Sequence, residues 1–192
     1  MPWEKQFVVD EALAKAEDAF WRQGYDATSM ENLLQCMGIQ KGSFYATFGS
    51  KHEILMAALE RYISSRRVLA EKLLAESSGL VALKQHLDGV STESCGEGRA
   101  LGCFIVNVAL ELAPRDAAVR HLVQTALAGQ EALYAGLLEK AKRAGEISAE
   151  LDVSAAAKTL LSIVLGLRVL ARAGVSEETI RSIRAQAAQL LS

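Results

Sequence analysis

The sequence predicts an all-α fold of about nine helices, a small N-terminal three-helix unit followed by a larger helical domain. Three observations predict it. The 192 residues contain only two prolines, Pro2 and Pro114, so few positions force a helix to break. The chain is rich in Ala, Leu, Glu, Lys and Gln, which are strong helix formers. Apolar residues recur at three- to four-residue spacing, and no segment carries the sustained alternation of a half-buried strand. With 51% hydrophobic residues the chain can bury a core.

The first helix is expected from about Glu4 to Gln23, with Phe7, Leu13, Ala16 and Phe20 as its apolar stripe. Gly24 ends it, since glycine accepts the left-handed conformation needed just past a helix terminus. Thr28-Ser29-Met30-Glu31 fits a capping box that starts the second helix at Thr28, its hydroxyl accepting from the Glu31 amide. Met30, Leu33, Leu34 and Met37 form the buried face, and Gly38 stops it. A third short helix runs from about Gln40 to Phe48, with Phe44 and Phe48 one turn apart and pointing inward.

Ser50, with Glu53 three residues on, caps a longer helix from Lys51 towards Glu76, whose apolar side includes Ile54, Leu55, Ala58, Leu59, Tyr62 and Ile63. Ser77-Ser78-Gly79 precedes a helix near Leu80 to Val90, and the polar stretch Ser91 to Gly98 reads as a loop. Gly102 to Leu112 is a strongly apolar helix stopped by Pro114, and Asp116 helps open the next, roughly Arg115 to Ala144. The last two helices span about Val153 to Ala173 and Ser176 to Leu191, with Gly174 between them.

Composition excludes several classes. Three cysteines, Cys36, Cys95 and Cys103, are too few and odd in number for a disulfide framework. No His/Cys spacing points to a metal site, and no cofactor is implied. The N-terminus lacks the apolar run of a signal peptide, and the stretch near Leu160 to Leu170 is interrupted by Arg168, so a cytoplasmic protein without a membrane partner is expected. His52, His86 and His121 are scattered, and neither a Ser/His/Asp set, nor paired carboxylates in an apolar setting, nor a phosphate-binding glycine loop appears, so catalysis is not expected.

Net charge is −2, and residues 1–60 carry five Lys/Arg against nine Asp/Glu. Local charge differs: from Thr28 to His52 the only acid is Glu31, while Lys41 and Lys51 lie within the stretch. Phosphate contacts need charge where a backbone runs, not averaged over a domain. A short helix, a glycine-containing turn and a second short helix can place one helix in the major groove, although the same spacing also occurs at plain bundle corners.

Gly24-Tyr25-Asp26-Ala27-Thr28-Ser29-Met30, followed by Met37-Gly38-Ile39-Gln40-Lys41-Gly42-Ser43-Phe44-Tyr45-Ala46-Thr47-Phe48-Gly49-Ser50-Lys51, closely resembles the DNA-binding domain of the TetR family. The resemblance is specific over roughly residues 5–60 and continues more loosely to the C-terminus. It implies a helix-turn-helix DNA-binding domain at 1–50, extending to about 65 in the family's terms, and an effector-binding and dimerisation domain at 51–192. By resemblance, Thr28 caps the second helix and touches phosphate beside Ser29. Gln40, Lys41, Gly42 and Ser43 begin the recognition helix, the Tyr45 hydroxyl meets the DNA backbone, and Lys51 meets phosphate. Met37 departs from the family's small alanine. Ala46 offers a methyl where a polar group is common, so base readout leans on Gln40, Lys41, Ser43 and Thr47.

A single helix-turn-helix makes few base contacts, so a homodimer on a palindromic operator is expected. The resemblance places the interface on the last two helices, with Leu160, Val164, Leu167, Ile180, Ile183 and Ala187 as candidates, although these side chains would equally well complete the monomer's own core. An effector pocket is expected from His86, Cys103, Phe104, Val106, Asn107, Leu110, Glu111 and Tyr134. A buried Asn107 amide needs a partner, which a ligand, another helix or a water could supply. The small-molecule effector is unidentified, and repression with release by that effector is the expected mode. The alternative is a redox-sensing regulator of the same fold using Cys95 and Cys103, one in the expected loop and one at a helix start.

Overall fold

A computed structural model describes residues 8–189. The expected helix start at Glu4, Phe7 on its stripe, and Leu190 and Leu191 on the last helix lie outside them. Among the described residues there are nine α-helices, one short 3-10 helix and no strand. The chain divides into two compact units, Met1–Ser64 with Asn107–Leu122, and Ser65–Val106 with Val123–Ser192.

The first unit begins with α1 (Val9–Gln23), which buries Ala12, Ala16, Ala19 and Phe20. The following residue, Gly24, has φ 85, and its N–H bonds back to the Phe20 carbonyl. Next comes α2 (Met30–Met37), and here the structure corrects the capping expectation. Ser29 is the N-cap, its Oγ accepting the Asn32 N–H at 3.0 Å. Thr28 is fully buried, and its hydroxyl donates to the Gly24 carbonyl at 2.6 Å. The threonine thus ties off the end of the preceding helix, and the serine one residue later does the capping.

Gly38, at φ 71, closes α2 with its N–H on the Leu34 and Gln35 carbonyls, while the Ile39 N–H also reaches Leu34. That six-to-one bond, with Ile39 buried behind it, is the Schellman arrangement. It turns the chain directly into α3 (Lys41–Phe48). The next helix, α4 (Lys51–Ala75), is capped by Ser50 Oγ accepting the Glu53 N–H at 3.1 Å. Its Ile54, Leu55, Ala58 and Leu59 are fully buried, and Arg61 reaches Glu17 on α1 at 2.7 Å. Val108, Leu112 and Val119 complete the buried apolar set of this unit.

The second unit contains α5 (Gly79–Cys95), the 3-10 helix Glu97–Leu101 and most of α7 (Ala117–Arg143). It also holds α8 (Val153–Arg172) and α9 (Glu177–Gln189). Between the 3-10 helix and α7 lies α6 (Phe104–Glu111), which starts two residues later than the sequence implied. The expected loop from Ser91 is instead the last turn of α5: Ser91 and Ser94 are buried, so packing overrides the weak helix preference of these residues. Gly79 lets α5 start against the backbone of α7, for a Cβ there would fall on the Leu137 carbonyl. The core gathers Leu83, Leu87, Tyr134, Leu137, Leu138, Leu160 and Leu167.

By length and composition α8 could cross a bilayer, yet its Leu160, Val164, Leu167 and Ala171 are buried in this core. That burial bears on the interface candidates. Leu160, Val164, Leu167, Ile180 and Ala187 are each less than 9% exposed within the single chain, and Ile183 packs against the same cluster. Five of these side chains are buried in the chain's own core, and Ile183 is half-buried at its edge.

Candidate nucleic-acid interface

The outer face of α3 is open. Phe44 is fully buried and sets the rotation of the helix, its ring packed at a tilt against Phe48 at 5.7 Å between centroids. With Phe44 inward, Gln40, Lys41, Gly42, Tyr45 and Ala46 are exposed, and Ser43 and Thr47 are half-buried beside them. The Tyr45 ring meets Phe44 edge-on at 5.3 Å, which leaves it 46% exposed. A Cβ added at Gly42 would meet nothing within 4 Å, so the glycine keeps this face shallow without any internal steric need. No side chain caps the α3 N-terminus, where Lys41 stands. Ser29, exposed at the start of α2, is bonded to Asn32 as described, and the buried Thr28 side chain is withdrawn from this surface.

Lys51 begins α4. Its ammonium lies 4.3 Å from the centroid of the Tyr25 ring, within cation–π range. Partial burial lowers its pKa, opposed by the Asp26 and Glu111 carboxylates. Beside it, His52 Nε2 lies 2.7 Å from Asp116 Oδ2. Asp116 Oδ1 meanwhile accepts the Ala118 and Val119 amides at 3.0 Å, so one carboxylate both caps α7 and meets the start of α4. Those amide bonds, with His52, hold the Asp116 carboxyl below its usual range.

In the second unit the effector candidates His86 and Tyr134 come together, Nε2 to hydroxyl 3.1 Å, with Gln130 Nε2 at 3.5 Å from the same imidazole nitrogen. Phe104 is fully buried, and Cys103 and Val106 are half-buried. Burial, then the nearby Arg168 charge, lowers the His86 pKa to about 4, and burial raises that of Tyr134. Both groups are neutral near pH 7. The remaining candidates belong to the other unit. Asn107 is half-buried, while Leu110 is 75% exposed and cannot line an apolar pocket within the chain. Glu111 is already engaged, its two oxygens accepting the Tyr25 and Asp26 amides at 2.9 and 2.7 Å. The sequence places Glu111 at the end of an apolar helix but does not show the distant amides it meets. Cys95 lies on the last turn of α5, half-buried, and not in a loop.

Comparison with known proteins gives the same picture over nearly the whole chain. Residues 12–58 match the model of bacterial regulatory proteins of the tetR family, and residues 79–187 match the tetracyclin repressor-like C-terminal domain. The HTH-type transcriptional repressor ComR of Escherichia coli is 30% identical over 93% of this chain and 86% of its own length. The HTH-type transcriptional regulator YezE of Bacillus subtilis is 33% identical over 88% of each. Among solved structures, a cysteine mutant of the regulator CifR bound to a 26-base-pair operator DNA superposes with a TM-score of 0.86 at 26% identity. That likeness covers 97% of this chain and 98% of the other.

Proposed function

Because this chain belongs to the TetR family and is a DNA-binding transcriptional regulator, we propose that it is a repressor in the cytoplasm. It binds a palindromic operator as a homodimer and lets go when a small molecule binds its larger domain. The observation that carries the reading is the open face of α3, where Gln40, Lys41, Gly42, Tyr45 and Ala46 stand free while Phe44 alone is fully buried. On this reading Lys41 and Gln40 reach base edges and Ala46 can touch a thymine methyl. Tyr45, Ser29 and Lys51 hold phosphates and set the register.

A pair of such helices must be held one helical turn of DNA apart. The support for dimerisation lies on α8. Only 28% of its most apolar stretch is buried within the chain. The side away from the core carries Ser162, Leu165, Gly166 and Val169, the last 46% exposed. The partner surface is therefore this stripe, rotated away from the side chains first expected there. The effector reading rests on the His86–Tyr134 pair, a half-buried imidazole bonded to a buried hydroxyl, two neutral polar groups that can orient a small polar ligand.

Selection of bound duplexes from a random pool tests the central claim. A two-fold symmetric site is expected, with affinity falling steeply as salt rises because each phosphate contact releases counterions. Enrichment of no sequence, or of an asymmetric one, overturns it.

A further inference from the structure

The turn after α6 grips the N-terminal unit through three side chains. Glu111 Oε2 accepts the Tyr25 N–H at 2.9 Å and Oε1 accepts the Asp26 N–H at 2.7 Å. Arg115 forms an ion pair with the Asp26 carboxylate, and Asp116 meets His52 as described. The turn cannot swing freely, because Val108, Leu112 and Val119 around it are buried and the Arg115 and Asp116 amides both bond to the Leu112 carbonyl. Glycine at position 24 fits the same arrangement: a Cβ there would stand 3.0 Å from Glu111 Oε2.

The residue whose amide Glu111 holds, Tyr25, carries the Lys51 ammonium on its ring. The ring is further fixed by Phe20, 5.9 Å away between centroids. Carboxylate, backbone, ring and ammonium therefore form one chain of contacts from the end of α6 to the start of α4. We propose that Glu111 is a positioning residue for DNA binding: by clamping the Tyr25–Asp26 backbone it fixes the aromatic platform that orders Lys51 for a phosphate. This rests on the reading of Lys51 as a phosphate contact. Without the clamp two amides lose a charged acceptor, the ring is released, and the long lysine side chain regains rotamers that binding must then restrict.

The sign of the effect separates positioning from plain electrostatics. Glu111→Gln removes a negative charge near DNA, which on charge alone strengthens binding. Positioning requires the opposite. With the duplex that the wild-type protein enriches from a random pool, Glu111→Gln is expected to bind about tenfold more weakly. Its salt dependence should be shallower by about one phosphate contact per subunit. In a Lys51→Ala background the same change should add nothing. Tyr25→Leu, which removes the platform and keeps the clamp, should reproduce the loss if Glu111→Gln does not fold. Tighter binding, an unchanged salt dependence, or an equal loss in both backgrounds overturns the proposal. If the wild type enriches no duplex, the DNA reading fails by itself. Positioning is then decided by nitrogen relaxation of the Lys51 side chain, which should become more mobile in Glu111→Gln and not in Glu139→Gln on the exposed side of α7. Unchanged Lys51 mobility refutes it.

Discussion

The Tyr134 hydroxyl lies 3.1 Å from Nε2 of His86, and the tyrosine is fully buried. Burial and the Arg168 charge lower the histidine's pKa from 6.5 to about 4 in the folded protein. The unfolded chain therefore binds more protons between these values, and stability rises with pH across that window. The contribution is fully present above about pH 6.5 and is lost as pH falls towards 4, amounting to roughly 3 kcal/mol at most. Urea midpoints of the wild type and His86→Asn at pH 7 and pH 4.5 measure it. The wild type should lose more stability between the two, and parallel losses contradict the assignment.

Two glycines separate folding from binding. Gly24→Ala forces φ 85 on an L-residue and crowds Glu111, so a loss of about 1–2 kcal/mol in stability is expected. Gly42→Ala meets open space within a helix, so stability should hold or rise by up to about 1 kcal/mol. Its methyl nevertheless stands on the face read as groove-facing, so DNA affinity should drop. Thermal melts and gel-shift titrations of the two variants give both numbers, and full affinity in Gly42→Ala would place the groove contact elsewhere.

Tyr45→Phe keeps the ring on Phe44 and deletes only the exposed hydroxyl. Binding should weaken about fivefold, and about equally on every duplex, as the loss of one phosphate hydrogen bond near 1 kcal/mol requires. Lys41→Ala should weaken binding and also change which bases are preferred. Competition assays with mutated sites distinguish the two patterns, and a sequence-dependent effect of Tyr45→Phe would reassign it to base readout.

On α8, two neighbouring positions should fail differently. Val169→Asp places a charge on the exposed stripe, and sedimentation should show a folded monomer that no longer grips the full operator. Leu167→Ala opens a cavity in the core and should cost about 2–5 kcal/mol of stability. A Val169→Asp protein that remains dimeric moves the interface off α8.

The helices and their order could be read in the sequence because apolar spacing reports burial and glycines report the breaks. The open face of α3 is named by the family resemblance and agrees with the inward spacing of Phe44 and Phe48, of which Phe44 is fully buried. Partner identity could not be read. Leu160, Val164 and Leu167 are apolar whether a neighbouring helix or a second subunit covers them, and the fold assigned them to the core. Thr28 and Ser29 are chemically alike as caps, and only the backbone shows that the threonine turns to Gly24 while the serine faces Asn32. Glu111 gave a weak signal, an acid at the end of an apolar helix, but its partners are 85 and 86 residues away in the chain.

Residues Asn107–Leu122 belong by contact to the unit that begins at the N-terminus, although more than forty residues separate them from it in sequence. Anyone grafting the first sixty-four residues onto a foreign sensor would leave behind Val108, Leu112 and Val119, together with the Glu111, Arg115 and Asp116 contacts. A working chimera has to carry that short stretch across with the reading head, or redesign the hole that its absence opens.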